Sequence, residues 1–276
     1  MAEKSNGENG FLIGGTGAPR PLNEETARRW RSDLEKLASE RGLENLGRLL
    51  AGDHPDAERL AAVLDLSPHL NAIVFKDPEW LEELTDRAPA DLTRETIETV
   101  AGLPGPAETE QTLMAALRRA RRRVALFLGL DDVFGAATPD ATTRALSEFA
   151  AAAVGAALRF CLRDLHGRGK IALPHPDEPE KGSGVFVLGM GKLGAHELNY
   201  SSDIDIIVLY DERQGLTGDP LDAPETLSRM VRRLTRILAE RTGEGYVARV
   251  DLRWRSPPRW RSPITRDPGA TGSARR

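Results

Sequence analysis

From Glu24 to about His166 the apolar positions recur three and four residues apart, the spacing of helices that bury one face. The stretch "EETARRWRSDLEKLASERGL" shows it first. "HPDAERLAAVLDL" and "DPEWLEELTDR" each put a proline at the start with acids behind it, as the missing proline N–H and the positive end of the helix dipole favour. "ETEQTLMAALRRARRRVALFLGL" predicts a long amphipathic helix ended by Gly129 and the loop around Gly135. Within it Arg118, Arg119, Arg121, Arg122 and Arg123 read as a solvated helix face, with an acidic partner as the alternative. Another helix is expected from Thr138-Pro139 to Gly167, with its apolar stripe through Leu146, Phe149, Ala153, Val154, Ala157, Leu158 and Cys161. Trp30 and Trp80 are expected as core or interhelix anchors.

The pattern changes at residues 167–184, where proline and glycine crowd together and mark a connection. Apolar runs at Val185 to Leu188 and Ile204 to Tyr210 read as strands, and "GYVARVDLRW" as a third, with a helix over "LDAPETLSRMVRRLTRILAERT" before it. The expected class is α+β. A flexible arm (1–22) leads into a helical domain (23–167), then an α/β catalytic core (168–253) and an Arg/Pro-rich tail (254–276).

Composition narrows the function. The net charge of −4 gives no reason to expect a nucleic-acid partner. No run of about 18 apolar residues supports a membrane span, and the N-terminus lacks the apolar segment of a secretory signal, so a cytoplasmic location is expected. The five histidines show no metal-ligand spacing, and the single cysteine, Cys161, reads as buried filler. The charge is uneven, however: residues 249–276 hold eight arginines, two aspartates and no lysine.

The chemistry concentrates in "VFVLGMGKLGAHELNYSSDIDIIVLYD" (185–211). Gly189, Gly191 and Gly194 match the G-x-G-x-x-G dinucleotide fingerprint, and Asp211 lies where a ribose-binding acid would be expected. Burial argues against that reading. The second strand of a doubly wound sheet is covered on both faces, yet this one opens Asp203-Ile204-Asp205. Strand residues two apart share a face, about 7 Å apart, so two like charges would need a cation between them. Mg²⁺, which takes carboxylate and phosphate oxygens, suits the place, with Mn²⁺ as the alternative. Asp251, an isolated acid in an apolar strand, is the candidate third carboxylate. The glycines would then hold phosphate and the aspartates metal, a site for phosphoryl or nucleotidyl transfer.

The run Gly-x-Gly-Lys-Leu-Gly, Glu-Leu-Asn and Ser-Ser-Asp-Ile-Asp within these residues closely resembles the signature of the bifunctional glutamine synthetase adenylyltransferase/adenylyl-removing family, in the polymerase beta-like nucleotidyltransferase superfamily. The resemblance extends upstream through "ALRRARRRVALFLGLDD" and "TTRALSEFAAAAVGAALR", covering most of residues 24–253; Ala195 stands where the family often has glycine. It implies a nucleotidyltransferase mixed-sheet domain behind an all-helical region, incomplete at the C-terminus. With one constellation behind a helical arm, the chain resembles the N-terminal half, which removes AMP from a tyrosine of glutamine synthetase by phosphorolysis and releases ADP; the other half attaches AMP from ATP. By resemblance Asp203, Asp205 and Asp251 would be catalytic and bind the metals. Gly189, Gly191 and Ser202 would contact phosphate, and Lys192 would neutralise developing charge. Lys192, Glu197 and Asn199 fit equally well as helix-surface or packing residues. Glutamine synthetase and a PII-type signal protein are the partners it implies.

After the third carboxylate the family continues Leu-Arg-Leu-Arg-Pro, whereas this chain reads Leu252-Arg253-Trp254-Arg255-Ser256. The tail holds two of the four tryptophans and an arginine excess without lysine, the composition of GC-rich coding DNA read out of frame. A frameshift is therefore expected from about Trp254, with low or no activity for the chain as written. Two rival functions remain: a nucleotidyltransferase acting on another substrate, and an inactive fragment that only binds glutamine synthetase or a signal protein.

Overall fold

The computed structural model describes residues 17, 19–105, 107–211, 214–218 and 221–254, the side chains of 253 and 254 excepted. The expected arm and tail thus lie largely outside the described residues. Six helices come first: α1 (Glu24–Arg41), α2 (Glu44–Ala51), α3 (Pro55–Leu66), α4 (Pro68–Lys76), α5 (Glu79–Glu83) and α6 (Pro89–Ala101). Local chemistry sets their ends. The Asn23 side chain accepts the Thr26 N–H at the start of α1, and Gly42 closes that helix at a φ of 68°. α7 (Glu110–Phe134) begins with a reciprocal Thr109/Thr112 cap and ends at Gly135, φ 69°. It runs straight through Gly129, contrary to expectation. A Cβ there would lie 3.0 Å from Leu70 Cδ2, so this glycine lets α4 press close to α7. α8 (Pro139–Gly167) starts at Thr138 as expected. It is long and apolar enough by composition to cross a membrane, but 61% of that window is buried against the rest of the protein, the packing of a core helix.

Strand β1 (Val185–Met190), the single turn α9 (Gly191–Gly194), β2 (Ile204–Tyr210), α10 (Ala223–Ala239) and β3 (Val250–Trp254) complete the described fold. The sheet order is β1-β2-β3, with β1 antiparallel and β3 parallel to β2. The antiparallel β1–β2 pair rules out the dinucleotide reading, which needs parallel strands joined across a helix. Burial along β2 alternates strictly, so one face is covered and the other open. Val185, Ile204, Ile206, Val208 and Tyr210 turn inward. Phe186, Leu188 and Met190 lie on the open face and are exposed. The structure is α+β: a helical region followed by a small mixed sheet.

Two apolar cores form. Leu113, Leu117, Val124 and Leu128 of α7 join α8, α10 and the inner sheet face in one. Ala125, Leu126, Phe127, Leu130 and Phe134 join α1 to α5 in the other, around the fully buried Trp80. Trp30 packs beside that core, its ring 5.5 Å from Phe75.

The α7 arginines are not a solvated face. Arg118 is 1% exposed. Its guanidinium donates to the carbonyls of Met114 (2.9 Å), Ile237 (3.1 Å), Glu240 (2.5 Å) and Gly245 (2.9 Å). Arg121 donates to the Val247 carbonyl at 2.6 Å. Arg122 bridges Asp77 and Glu244, Arg123 forks onto Glu83, and Arg119 lies over the Trp80 ring. Opposite sides of α7 thus grip the helical region and the approach to β3. Replacing Arg118 by methionine, which keeps bulk but strands these carbonyls, should cost about 3 kcal/mol or more in urea unfolding. Arg41→Ala, which removes an exposed pair with Glu79, should stay within about 0.5 kcal/mol.

Candidate active site

The head of β2 is where the predicted residues meet. In the parallel register Asp205 lies directly opposite Asp251, and Ile204 opposite Val250. Neighbouring strands are about 4.8 Å apart, and opposed residues point the same way, so these two carboxylates stand side by side on the open face. Like charges placed so oppose the ladder. Neither has an ion-pair or hydrogen-bond partner among the described residues.

Asp203 is diverted. It sits just before β2, and Arg249, its neighbour across the ladder, donates its Nε–H to Asp203 Oδ1. Among the described residues no three His, Cys, Asp or Glu side chains are gathered closely enough to hold a metal ion. The donor set is nonetheless all carboxylate oxygen, which suits a hard divalent cation. In donor chemistry Asp205 and Asp251 suit such an ion, and Asp203, of the same chemistry, is engaged by Arg249.

The glycines divide by role. Gly189 faces inward, paired with buried Ile206, and a Cβ on it would meet Leu193 at 3.0 Å. A Cβ on Gly194 would come within 2.5 Å of the Gly189 carbonyl oxygen, so both serve the close seating of α9 on β1. Gly191 alone borders the acids: its φ is 52°, and a Cβ would lie 3.1 Å from Asp205 Oδ2. Lys192 follows it, exposed and without an ion pair among the described residues. The spacing of Gly189 and Gly194 therefore has a packing cause, and Gly191 is the glycine whose Cβ position borders Asp205.

Between α9 and β2 the chain is held as a tight turn. Asn199 Oδ1 accepts from the Ser201 N–H (3.1 Å) and the hydroxyls of Ser201 (3.3 Å) and Ser202 (2.9 Å). Ser202 Oγ in turn accepts the Asn199 N–H at 3.3 Å, so the hydroxyl expected at phosphate is engaged within the turn. Leu198 is buried, its N–H on Ser147 Oγ of α8 at 3.1 Å. Glu197 is exposed.

Sequence reasoning missed two residues here. Arg249 is one, since its pairing depends on register. Tyr200 is the other: its hydroxyl donates to Asp132 Oδ2 at 2.6 Å, tying the turn to the end of α7, and Thr142 donates to the other oxygen at 2.5 Å. Burial and this hydrogen bond raise the Tyr200 pKa. The "DD" at 131–132, two acids together at the end of an apolar helix, was the available signal.

With this geometry in view, the comparisons with known proteins decide the family. The pattern of glutamate-ammonia ligase adenylyltransferase matches residues 57–265, most of the chain. This chain belongs to the glutamate-ammonia ligase adenylyltransferase family. Over 240 residues it is 44% identical to the bifunctional glutamine synthetase adenylyltransferase/adenylyl-removing enzyme of Mesorhizobium japonicum, covering 86% of this chain and 24% of that protein. The enzymes of the same name from Bartonella quintana and Brucella suis are 41% and 42% identical over 85% and 86% of this chain, again covering 24% of each. The chain thus spans about a quarter of the length of these relatives. Within the adenylyltransferase family match lie all three acids, Gly191, Lys192 and Arg249.

Burial and the neighbouring Asp132 push the Asp131 carboxyl of this adenylyltransferase-family chain up from 3.8 to about 6. The folded state therefore favours the protonated form, and stability should fall as pH rises from about 4 through about 6, then level off. Asp131→Asn should remove that fall. Relative to the unsubstituted chain it should gain about 2 kcal/mol at pH 7.5 and nearly nothing at pH 4, measured by urea unfolding at both.

Proposed function

We propose that this chain carries the adenylyl-removing site of its family, acting on glutamine synthetase whose tyrosine bears AMP and releasing that AMP as ADP by phosphorolysis. The observation that carries this reading is the pair Asp205 and Asp251, in register, exposed to the open face and without a positive partner among the described residues. The relatives are named adenylyl-removing enzymes, and an acid constellation placed behind a helical region supports the N-terminal half.

Asp205 and Asp251, joined by Asp203, would hold Mg²⁺, or Mn²⁺ in its place. When bound, the ion draws charge from phosphate oxygens and fixes their orientation. The chain's own residues supply the rest. The carboxylates repel any anion that arrives without a cation, so bare phosphate does not settle there. Gly191 leaves room for an oxygen beside Asp205, and the Gly189–Gly191 backbone with Ser202 would border the phosphates, Ser202 exchanging its turn bonds to do so. Lys192 supplies a mobile positive charge for the transferred group. An oxygen of inorganic phosphate forms its bond to the α-phosphorus as the bond to the tyrosine oxygen breaks. That oxygen leaves with the electron pair and is then protonated, giving free tyrosine and ADP.

Glutamine synthetase is the proposed partner, with a PII-type signal protein as effector, in the cytoplasm and away from membranes and nucleic acid. A second reading, binding without catalysis, draws support from the hold of Arg249 on Asp203. One assay separates the two. Adenylylated glutamine synthetase incubated with the chain, phosphate and Mg²⁺ should yield ADP, and Asp205→Asn or Asp251→Asn should lower the rate about 100-fold or more. ADP that persists in both variants excludes the carboxylate site, while complex formation without ADP favours the binding reading.

A further inference from the structure

Arg249 and Asp203 stand opposite each other where the β2–β3 ladder begins. The register pairs Ile204 with Val250, and the Ile204 N–H donates to the Arg249 carbonyl at 2.9 Å, so the two side chains are neighbours one step before the strands. The guanidinium makes two bonds, its Nε–H to Asp203 and its Nη2–H to the Ser201 carbonyl at 2.8 Å. Both side chains are largely open to water, 60% and 52% exposed.

An exposed ion pair of this kind contributes little to folding. What it changes is charge. Asp205 and Asp251 stand side by side at the strand head, and Arg249 neutralises Asp203, the carboxylate that a metal ion would otherwise recruit as a third ligand. The Ser201 carbonyl keeps the guanidinium nearby without Asp203, because that bond is to the main chain. A weak, solvated pair can be broken by a divalent cation, whose double charge outweighs a single delocalised one at the same carboxylate.

We infer that Arg249 is a built-in counter-ion that competes with the divalent cation for Asp203, so that loading the site means exchanging guanidinium for metal. The inference rests on the metal reading of the acids proposed above, and concerns a residue which that reading leaves without a role.

Mn²⁺ binding followed by electron paramagnetic resonance tests it without any turnover. On the 276-residue chain at fixed ionic strength, Arg249→Gln should tighten Mn²⁺ binding about three- to fivefold. In an Asp203→Asn background the same change should alter it less than about twofold, because the contested ligand is gone. Arg249→Lys, which keeps the charge, should stay within about twofold of the unsubstituted chain. Binding that weakens or does not move in Arg249→Gln overturns the inference. So does an equal gain with and without Asp203, which would mean a general field effect. If the unsubstituted chain shows no saturable Mn²⁺ signal, or if Asp205→Asn and Asp251→Asn leave the signal intact, the metal site itself fails and the exchange with it.

Discussion

A guanidinium sealed from water must be answered by acceptors, and Arg118 is answered by main-chain carbonyls alone. They come from its own helix, from the last turn of α10 and from the chain reversal at Gly245. Burial pulls its pKa down, and these bonds offset the cost of holding the charge away from water. Together with the grip of Arg121 on Val247, they fix where the chain leaves α10 and at what height it starts β3. That height is the register. A slip of one residue would turn Asp251 toward the covered face and leave Val250 or Leu252 beside Asp205. The juxtaposition of two carboxylates thus depends on arginines more than 120 residues before the segment they hold.

Elsewhere among the described residues, several half-buried charges are balanced. Arg233 is held between Glu110 and Asp164, and Arg122 between Asp77 and Glu244. Arg123 takes Glu83 with both ends of its fork. Against that habit, the Asp205–Asp251 pair is a departure, and uncompensated local rules concentrate where a protein has something to bind. The departure is also localised: farther along the same open face of β1 and β2 come Leu188, Ile207, Phe186 and Leu209.

The three acids were legible in the sequence because each breaks the apolar character of a strand, and strand periodicity states which face they take. Their partners were not. Arg249 reads as one more arginine until the register sets it opposite Asp203. Charge density alone presents the α7 arginines as solvated. Positions 118, 119, 121, 122 and 123 cover roughly 200° of the helix circumference, too much for one solvated side of a helix that also buries Leu117 and Val124. Gly129 was read as a stop because helix propensity is local, whereas the need for close approach by Leu70 comes from another helix. The three-glycine spacing reads as a phosphate cradle, while the structure uses Gly189 and Gly194 to seat α9.

One consequence concerns the helical region, which the sequence presents as something preceding the catalytic part. Helix α7 contributes to both apolar cores, and its arginines reach the α4–α5 corner on one side and the β3 approach on the other. Tyr200 adds a tie from the turn before β2 to the end of the same helix. Both segments that deliver acids to the site are therefore positioned by α7, one through Tyr200 and one through Arg118 and Arg121. The sheet contributes hydrogen bonds between the strands but leaves their relative height to be set from outside. For this chain the D-x-D motif is then an incomplete description of the site, since the third carboxylate is aligned by a helix that carries none of the acids.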